Sequence, residues 1–409
     1  MSILKSRIGY GYNDVTIVPK RVSYKASRSE CHPFDENNFL PIFTAPMTTV
    51  VNVENFELWE KNFIYPILPR NIDYNIRLDY FKQGKWVAFS LTETENIINM
   101  FSTGAISLSV KGKICIDIAN GHMNKLIQLC KRIKSITNDI EIMTGNIANY
   151  ETYKEYCDAK IDYVRVSIGS GAGCTTSSNT GIHYPIASLL DEINQVKGYT
   201  KVIADGGIRN YSDVIKALAL GADYVMVGGL FSSFLESAAK ISFNGDVEYK
   251  YKKHYFPFIG YETPERAWQS YLMYFKGQNQ IDYVEEKTED VNLIHSYFII
   301  DLWSVETTEE TKRYLLQYCN ETRNLIRKEF FGMSTKIAQK MIKDSNNLKT
   351  SEGTTKHFYV KYTIKQWVDN MIDYLRSAMS YCNAHNLKSF IGNQDLIVNS
   401  FNETNAVNK

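Results

Sequence analysis

The stretch that decides the fold is "KVIADGGIRNYSDVIKALALGADYVMVGG", residues 201–229. It opens on a short β-branched run, turns through two glycines, and enters "NYSDVIKALALGA" (210–222), which begins with polar capping residues and closes on Gly221. A second apolar run, "YVMVGG" (224–229), follows at once. Strand, glycine turn, capped helix and strand make one βαβ unit, which requires parallel strands.

The same punctuation recurs upstream. Near-continuous apolar runs read "PIFTAP" (41–46), "NFIYPIL" (62–68), "WVAFSL" (86–91), "KICIDI" (113–118), "EIMTGNI" (141–147) and "YVRVSIG" (163–169). Runs of this kind suit parallel strands covered on both faces. "HMNKLIQLCKRIKSI" (122–136) has helical spacing between two of them. Eight strands, most followed by a helix, predict a (β/α)8 (TIM) barrel over 1–240, with a doubly wound open sheet as the alternative. After 240 the strand signals fade. Residues 245–328 read as a mainly helical insertion between strand 8 and helix 8, a lid or an assembly surface, from "PERAWQSYLMYF" and "TEETKRYLLQYCNETRNLIRKEF". Residues 329–409 hold a flap, the last barrel helices ("TIKQWVDNMIDYLRSAMSYC") and a polar tail.

Bulk properties narrow the class. The 409 residues are 44% hydrophobic with a net charge of +1, enough for a large core and no argument for nucleic acid or an anionic membrane as partner. Seven cysteines, at 31, 115, 130, 157, 174, 319 and 382, show no CxxC pair, as expected in a reducing compartment. No long apolar segment opens the chain or interrupts it, so a soluble cytoplasmic protein is expected. His32, His254, His295, His357 and His385 lack ligand spacing, and no metal site is supported.

Chemistry in such a barrel lies where strands end and loops begin. The residues in those places are Met47 and Thr48, Arg70, Asp117 with Asn120, Gly145 with Asn146, Asp205-Gly206-Gly207 and Gly228-Gly229. After strand 6 comes "SIGSGAGCTTSSNTGIHYP" (167–185). Gly169, Gly171 and Gly173 let backbone N–H groups approach a ligand, and Cys174 among them is a candidate nucleophile. A structural turn with an incidental cysteine reads the same residues as well, and strand-end placement favours function. The glycine pairs after strands 7 and 8 suit a phosphate cradle, or close packing at the rim. Asp117 binds a ligand or caps the next helix. His122 and His183 read as loop neighbours or as satisfied polar groups. Glu352 in "KTSEGTT", read alone, is a solvated loop residue.

These residues also resemble a known family. "YNDVTIVPKR", "SRSE", "IFTAPM", "DIANGH", "TGNIAN", "SIGSGAGCTTSSNTGIHYP", "IADGGI" and "DVIKALALGADYVMVGG" are similar, in order, to IMP dehydrogenase and GMP reductase. The likeness breaks near 240 and resumes at "FFGMSTKIAQK" and "KTSEGTT". "DIANGH", "FFGMST" and "SEGTT" look like the reductase branch, and "MIKDSNNLKTSEG" lacks the Arg-Tyr pair of the dehydrogenase flap. No tandem regulatory domain separates strands 2 and 3.

The resemblance implies NADPH-dependent reductive deamination of GMP, or a related guanine nucleotide such as dGMP, to IMP and ammonia. Cys174 would attack purine C2, with Thr176 and Glu352 protonating the leaving ammonia. Met47, Asp117, Asn120, Gly169, Gly171, Gly173, Asp205, Gly206, Gly207, Gly228, Gly229, Gly332, Met333 and Ser334 would hold the nucleotide. Arg70, Asn120, Gly121, Lys349 and Ser351 would meet the dinucleotide, NADPH in preference to NADH. The carbonyls of Gly169, Gly171 and Cys174 would offer a site for a monovalent cation, K+, and the assembly would be a homotetramer. Two departures stand out: Pro69-Arg70-Asn71 replaces a basic HKH-like motif, and Ala172 replaces a phosphate-binding serine. IMP oxidation to XMP with NAD and a catalytically silent nucleotide-binding barrel are the competing readings.

Overall fold

A computed structural model describes residues 8–242, 249–250, 253–257, 282–287, 294–300, 302–303, 307–321, 326–342, 350 and 353–399. Seven parallel strands form one curled sheet in the order β1-β8-β7-β6-β5-β4-β3. They are β1 Ile42–Thr44, β3 Trp86–Phe89, β4 Lys113–Ile116, β5 Glu141–Ile147, β6 Tyr163–Val166, β7 Lys201–Asp205 and β8 Tyr224–Val227. Residues 65–68, counted here as β2, stand between β1 and β3 on single bridges, Phe43 to Tyr65 and Leu68 to Val87. Tyr65 O accepts from Thr44 N–H at 2.9 Å, and Leu68 O from Ala88 N–H at 2.8 Å. The sheet therefore closes as the (β/α)8 reading expects, and an open doubly wound sheet is excluded.

Around it run α1 Phe56–Lys61, α2 Tyr74–Lys82, α3 Leu91–Ser102, α4 Asn124–Ile136, α5 Tyr150–Asp158, α6 Ile186–Asn194, α7 Tyr211–Ala219 and α8 Ile364–Tyr381. Their starts follow from capping chemistry. Asn210 Oδ1 accepts from Asp213 N–H at the head of α7, and Ser90 with Glu93 forms a reciprocal box at α3. Ser90→Ala should lower stability by about 1 kcal/mol, read as a reduced midpoint in urea. α8 packs Trp367 against Tyr211, Phe231 and Phe234, while Trp59 of α1 stacks on Phe231. The late helix thus fills the ring position between α7 and α1, although the insertion separates it from β8.

The barrel interior is layered. At the N-terminal ends of the strands, Phe43, Tyr65, Trp86, Tyr163 and Tyr224 form a buried aromatic floor. Tyr65 Oη and Tyr224 Oη both donate to Asp35 Oδ2, at 2.6 and 3.2 Å. Above lie Ile67, Ala88, Cys115, Met143, Ile203 and Met226. The next inward positions are polar: Asp117, Arg165, Ser167 and Asp205. A closed floor and a polar upper end leave the C-terminal mouth for chemistry.

The described residues of 245–328, where a mainly helical insertion is expected, hold a small sheet as well as a helix. Four short strands, Tyr249–Lys250, Lys253–Pro257, Ile294–Ile300 and Asp282–Lys287, form an antiparallel sheet in that order. One helix, Glu309–Glu321, follows. "DYVEEK" and "IHSYFII" carry the β-branched and aromatic residues that favour a pleated surface, and the Glu and Lys of the first obscure it. "PERAWQSYLMYF" lies outside the described residues. The excursion is closed at its base, where Ile241–Ser242 pairs antiparallel with Lys328 and Arg327. Among the described residues no helix is long and apolar enough to cross a membrane.

Candidate active site

The loop after β6 is shaped by backbone that only a few residues tolerate. Ser167 has φ of 111° and Gly169 of 79°. Ser167 Oγ donates to Ser170 Oγ at 2.6 Å, and His183 Nδ1 sits 2.9 Å from Ile168 O. Cys174 N–H donates to Gly171 O at 3.0 Å, and the half-buried Cys174 thiol donates to Thr176 Oγ1 at 3.2 Å. Thr176 opens a short helical turn, Thr176–Thr180, whose Ser177 Oγ donates back to Gly169 O.

A ribbon of two antiparallel strands, Arg327–Phe331 and Thr355–Tyr359, lies over this loop. Gly353 forms an antiparallel bridge with Cys174, Thr354 N–H donates to Gly173 O at 3.0 Å, and Gly332 N–H donates to Thr354 O. Gly332, Met333 and Ser334 follow directly from the ribbon, and a Cβ at Gly353 would stand 3.2 Å from Ser334 Oγ. Gly332 and Ser334 therefore lie beside the Gly173–Cys174 turn and Gly353. Lys349, Ser351 and Glu352 lie outside the described residues; the residue after Glu352 is the Gly353 that bridges to Cys174.

The glycines after β7 and β8 converge on the same loop. A Cβ on Gly206 would stand 3.1 Å from Gly171 N, and one on Gly229 would stand 3.2 Å from Ala172 Cβ. The approach needs both positions bare. Gly228 faces Met47 Sδ, and Gly207 lies against the buried ring of Tyr12 and against Ser170. Gly169, Gly171, Gly173, Gly206, Gly207, Gly228 and Gly229 thus share one rim.

Beneath the rim lies a charged cluster. Asp117 Oδ2 accepts from Arg70 Nε at 3.0 Å, and its Oδ1 accepts from Arg165 Nη1 at 3.3 Å. Burial alone would raise the Asp117 pKa, but the two guanidinium groups outweigh it and hold the carboxyl below its ordinary value. Asp205 differs. Burial pushes its pKa up, with Arg165 at 3.9 Å and the Asn146 amide at 2.8 Å opposing too weakly to reverse the shift. Asn146 Nδ2 also donates to Ser167 O, so it ties the cluster to the cysteine loop. Arg165, 4% exposed, was missed in the sequence. Its signal is a lone cation inside the apolar strand "YVRVS".

Two expected positions serve backbone structure. Gly121 N–H donates to Asn146 O and its carbonyl accepts from Tyr156 Oη. Asn120 is exposed and its Oδ1 accepts from His122 N–H. His122 Nε2 accepts from Ala148 N–H, so Nδ1 carries the proton and faces Thr152 Oγ1 at 2.9 Å. Burial lowers the His122 pKa, which fits this neutral, fully engaged ring. Arg70, 22% exposed, is the cation at the mouth itself.

Comparison with known proteins agrees with this geometry. Residues 105–289 match the model of the IMP dehydrogenase / GMP reductase domain. A GMP reductase of Staphylococcus epidermidis is 32% identical over 257 residues, 60% of this chain and 77% of that protein. One from Staphylococcus saprophyticus is 31% identical over 256 residues, covering 60% and 76%. One from Helicobacter pylori is 29% identical over 256 residues, covering 59% and 76%. A closed parallel barrel, a cysteine–threonine pair on its rim and alignments over most of each reductase place this chain in the IMP dehydrogenase and GMP reductase family.

Proposed function

We propose that the protein is a GMP reductase-like oxidoreductase that converts GMP, or a related guanine nucleotide such as dGMP, to IMP and ammonia. The observation that carries the reading is the Cys174 thiol at 3.2 Å from Thr176 Oγ1, directly under the ribbon residue that follows Glu352. The Cys174 thiolate adds to purine C2, and the exocyclic amine leaves as ammonia with a proton relayed by Thr176 and Glu352. NADPH, when bound, supplies the hydride that C2 gains as the C–S bond breaks and the thiolate is regenerated. The balance is GMP, NADPH and two protons in, and IMP, NADP+ and ammonium out.

The chain's residues divide this work. Asp117, kept ionised by Arg70 and Arg165, accepts from ribose hydroxyls. The bare backbone at Gly206, Gly207, Gly228 and Gly229 leaves room for a phosphate, and Ala172 contributes no hydroxyl there. Gly332, Met333 and Ser334 face the base. Of the residues assigned to the dinucleotide, Arg70 fits an anionic group through its partly open guanidinium, and Asn120 is accessible. Gly121 takes part by packing, since both its backbone polar groups are engaged. The same reading carries a cytoplasmic homotetramer.

Purified protein with NADPH and GMP should lose absorbance at the reduced-nicotinamide band. A gain of NADH on adding IMP and NAD would favour the dehydrogenase instead. No change in either mixture would leave a silent nucleotide-binding barrel. Substituting dGMP for GMP in the first mixture reads the sugar preference.

A further inference from the structure

The ribbon over Cys174 is fastened to the barrel at a buried polar hub that the proposed reaction does not use. Lys328, on the first strand of the ribbon, is 0% exposed. Its Nζ donates to Ser237 O and Ala239 O, both at 3.0 Å. Next to it stands Glu236, 2% exposed, whose Oε1 meets Lys312 Nζ at 3.2 Å and whose Oε2 accepts from Ile364 N–H at 3.0 Å. Lys312 belongs to the insertion helix Glu309–Glu321, and Ile364 begins α8. One carboxylate therefore touches the insertion and the last barrel helix, and its field reaches the ribbon lysine.

We propose that Lys328, with Glu236 beside it, is a positioning residue that latches the ribbon over Cys174. An apolar side chain would fill the same space at lower desolvation cost, so a lysine there needs a reason. The reason lies along the strand. Two residues after Lys328 comes Phe330, whose ring faces Gly173, and two further on Gly332, which donates to Thr354. Beyond the short pairing with Ile241–Ser242, Glu329 N–H to Lys240 O is a further described tie of this strand to the barrel flank. Loosening Lys328 thus loosens the segment that sets Gly353 against Cys174.

The latch has a pH sense. Burial lowers the Lys328 pKa to about 7, with Glu236 opposing. Among the described residues, the other charged groups at the hub are Lys312 and Glu309, and Glu309 accepts from Thr363 Oγ1. A released lysine titrates near its ordinary value of about 10.4, so between these values the docked ribbon binds fewer protons than the free one. Docking therefore tightens as pH rises above about 7.

The test uses thiol chemistry and does not depend on the nucleotide assignment. Wild type and Lys328→Met are treated with iodoacetamide, and Cys174 alkylation is timed by peptide mass spectrometry, with half-buried Cys157 of α5 as internal control. Cys174 should react about fivefold faster in the variant at pH 8. The variant-to-wild-type ratio, in which thiolate formation cancels, should be larger at pH 8.5 than at pH 6.5. A ratio near one at both pH values, or one that falls as pH rises, overturns the proposal. If Lys328→Met does not fold, Lys328→Gln, which keeps an N–H donor for the two carbonyls but does not titrate, carries the pH comparison alone: its ratio to wild type should still rise from pH 6.5 to pH 8.5, and a flat or falling ratio overturns the proposal.

Discussion

Cys174→Ala should reduce turnover of guanine nucleotide by roughly 10³-fold or more while nucleotide affinity stays within a few-fold. The loop does not need the sulfur for its shape. Cys174 holds its position through backbone, by its N–H to Gly171 O and its bridge to Gly353, and alanine keeps both. The contact that disappears is the one from Sγ to Thr176 Oγ1. Steady-state NADPH oxidation and nucleotide binding by calorimetry together check the prediction. Turnover near wild type in the alanine variant removes the covalent route.

Arg165→Met should cost about 3–5 kcal/mol of stability at pH 7.5, because it strips a buried cation from two partly buried carboxylates. The pH dependence gives the effect a signature. In the wild type Asp117 has a lowered pKa, so its ionisation stabilises the fold above the ordinary carboxylate range, and that contribution fades as pH falls towards the folded value. Asp205 has a raised pKa, so its own ionisation opposes folding as pH rises through that value. Without Arg165 both carboxyls shift upward, although Arg70 still holds one oxygen of Asp117. The variant's deficit should therefore shrink between pH 7.5 and pH 5.5, measured by urea unfolding at each. A deficit that is constant over this range would mean that Arg165 does not govern these two groups.

Much of the barrel could be read before any coordinates. Strands predicted at 86–91, 113–118, 141–147, 163–169, 201–208 and 224–229 each contain a barrel strand, because buried parallel strands leave unbroken apolar runs. The second run is weaker than its sequence suggests, since "NFIYPIL" makes single bridges at Tyr65 and Leu68. The rim was readable from glycine placement, and close approach at Gly206 and Gly229 gives those glycines their reason. Arg165 escaped because periodicity reports which face is apolar and is silent about a charge neutralised inside. His122 stayed ambiguous because its partners, Ala148 and Thr152, are distant in sequence. The strands of the insertion were not legible because Glu and Lys read as helix formers when pairing partners are unknown. Glu352, a bland loop glutamate by local sequence, gains meaning only through the family likeness.

The meeting of Ile241–Ser242 with Arg327–Lys328 makes the intervening chain a graft on a stem. Its departure and return points are already side by side, as at the mouth of a hairpin. Splicing out residues 243–326 and joining the stumps with a tight turn would ask no rung of the cylinder to change register. What replaced the module would still have to meet Glu236, which takes Lys312 from it, and the core face that Leu302 and Leu315 cover.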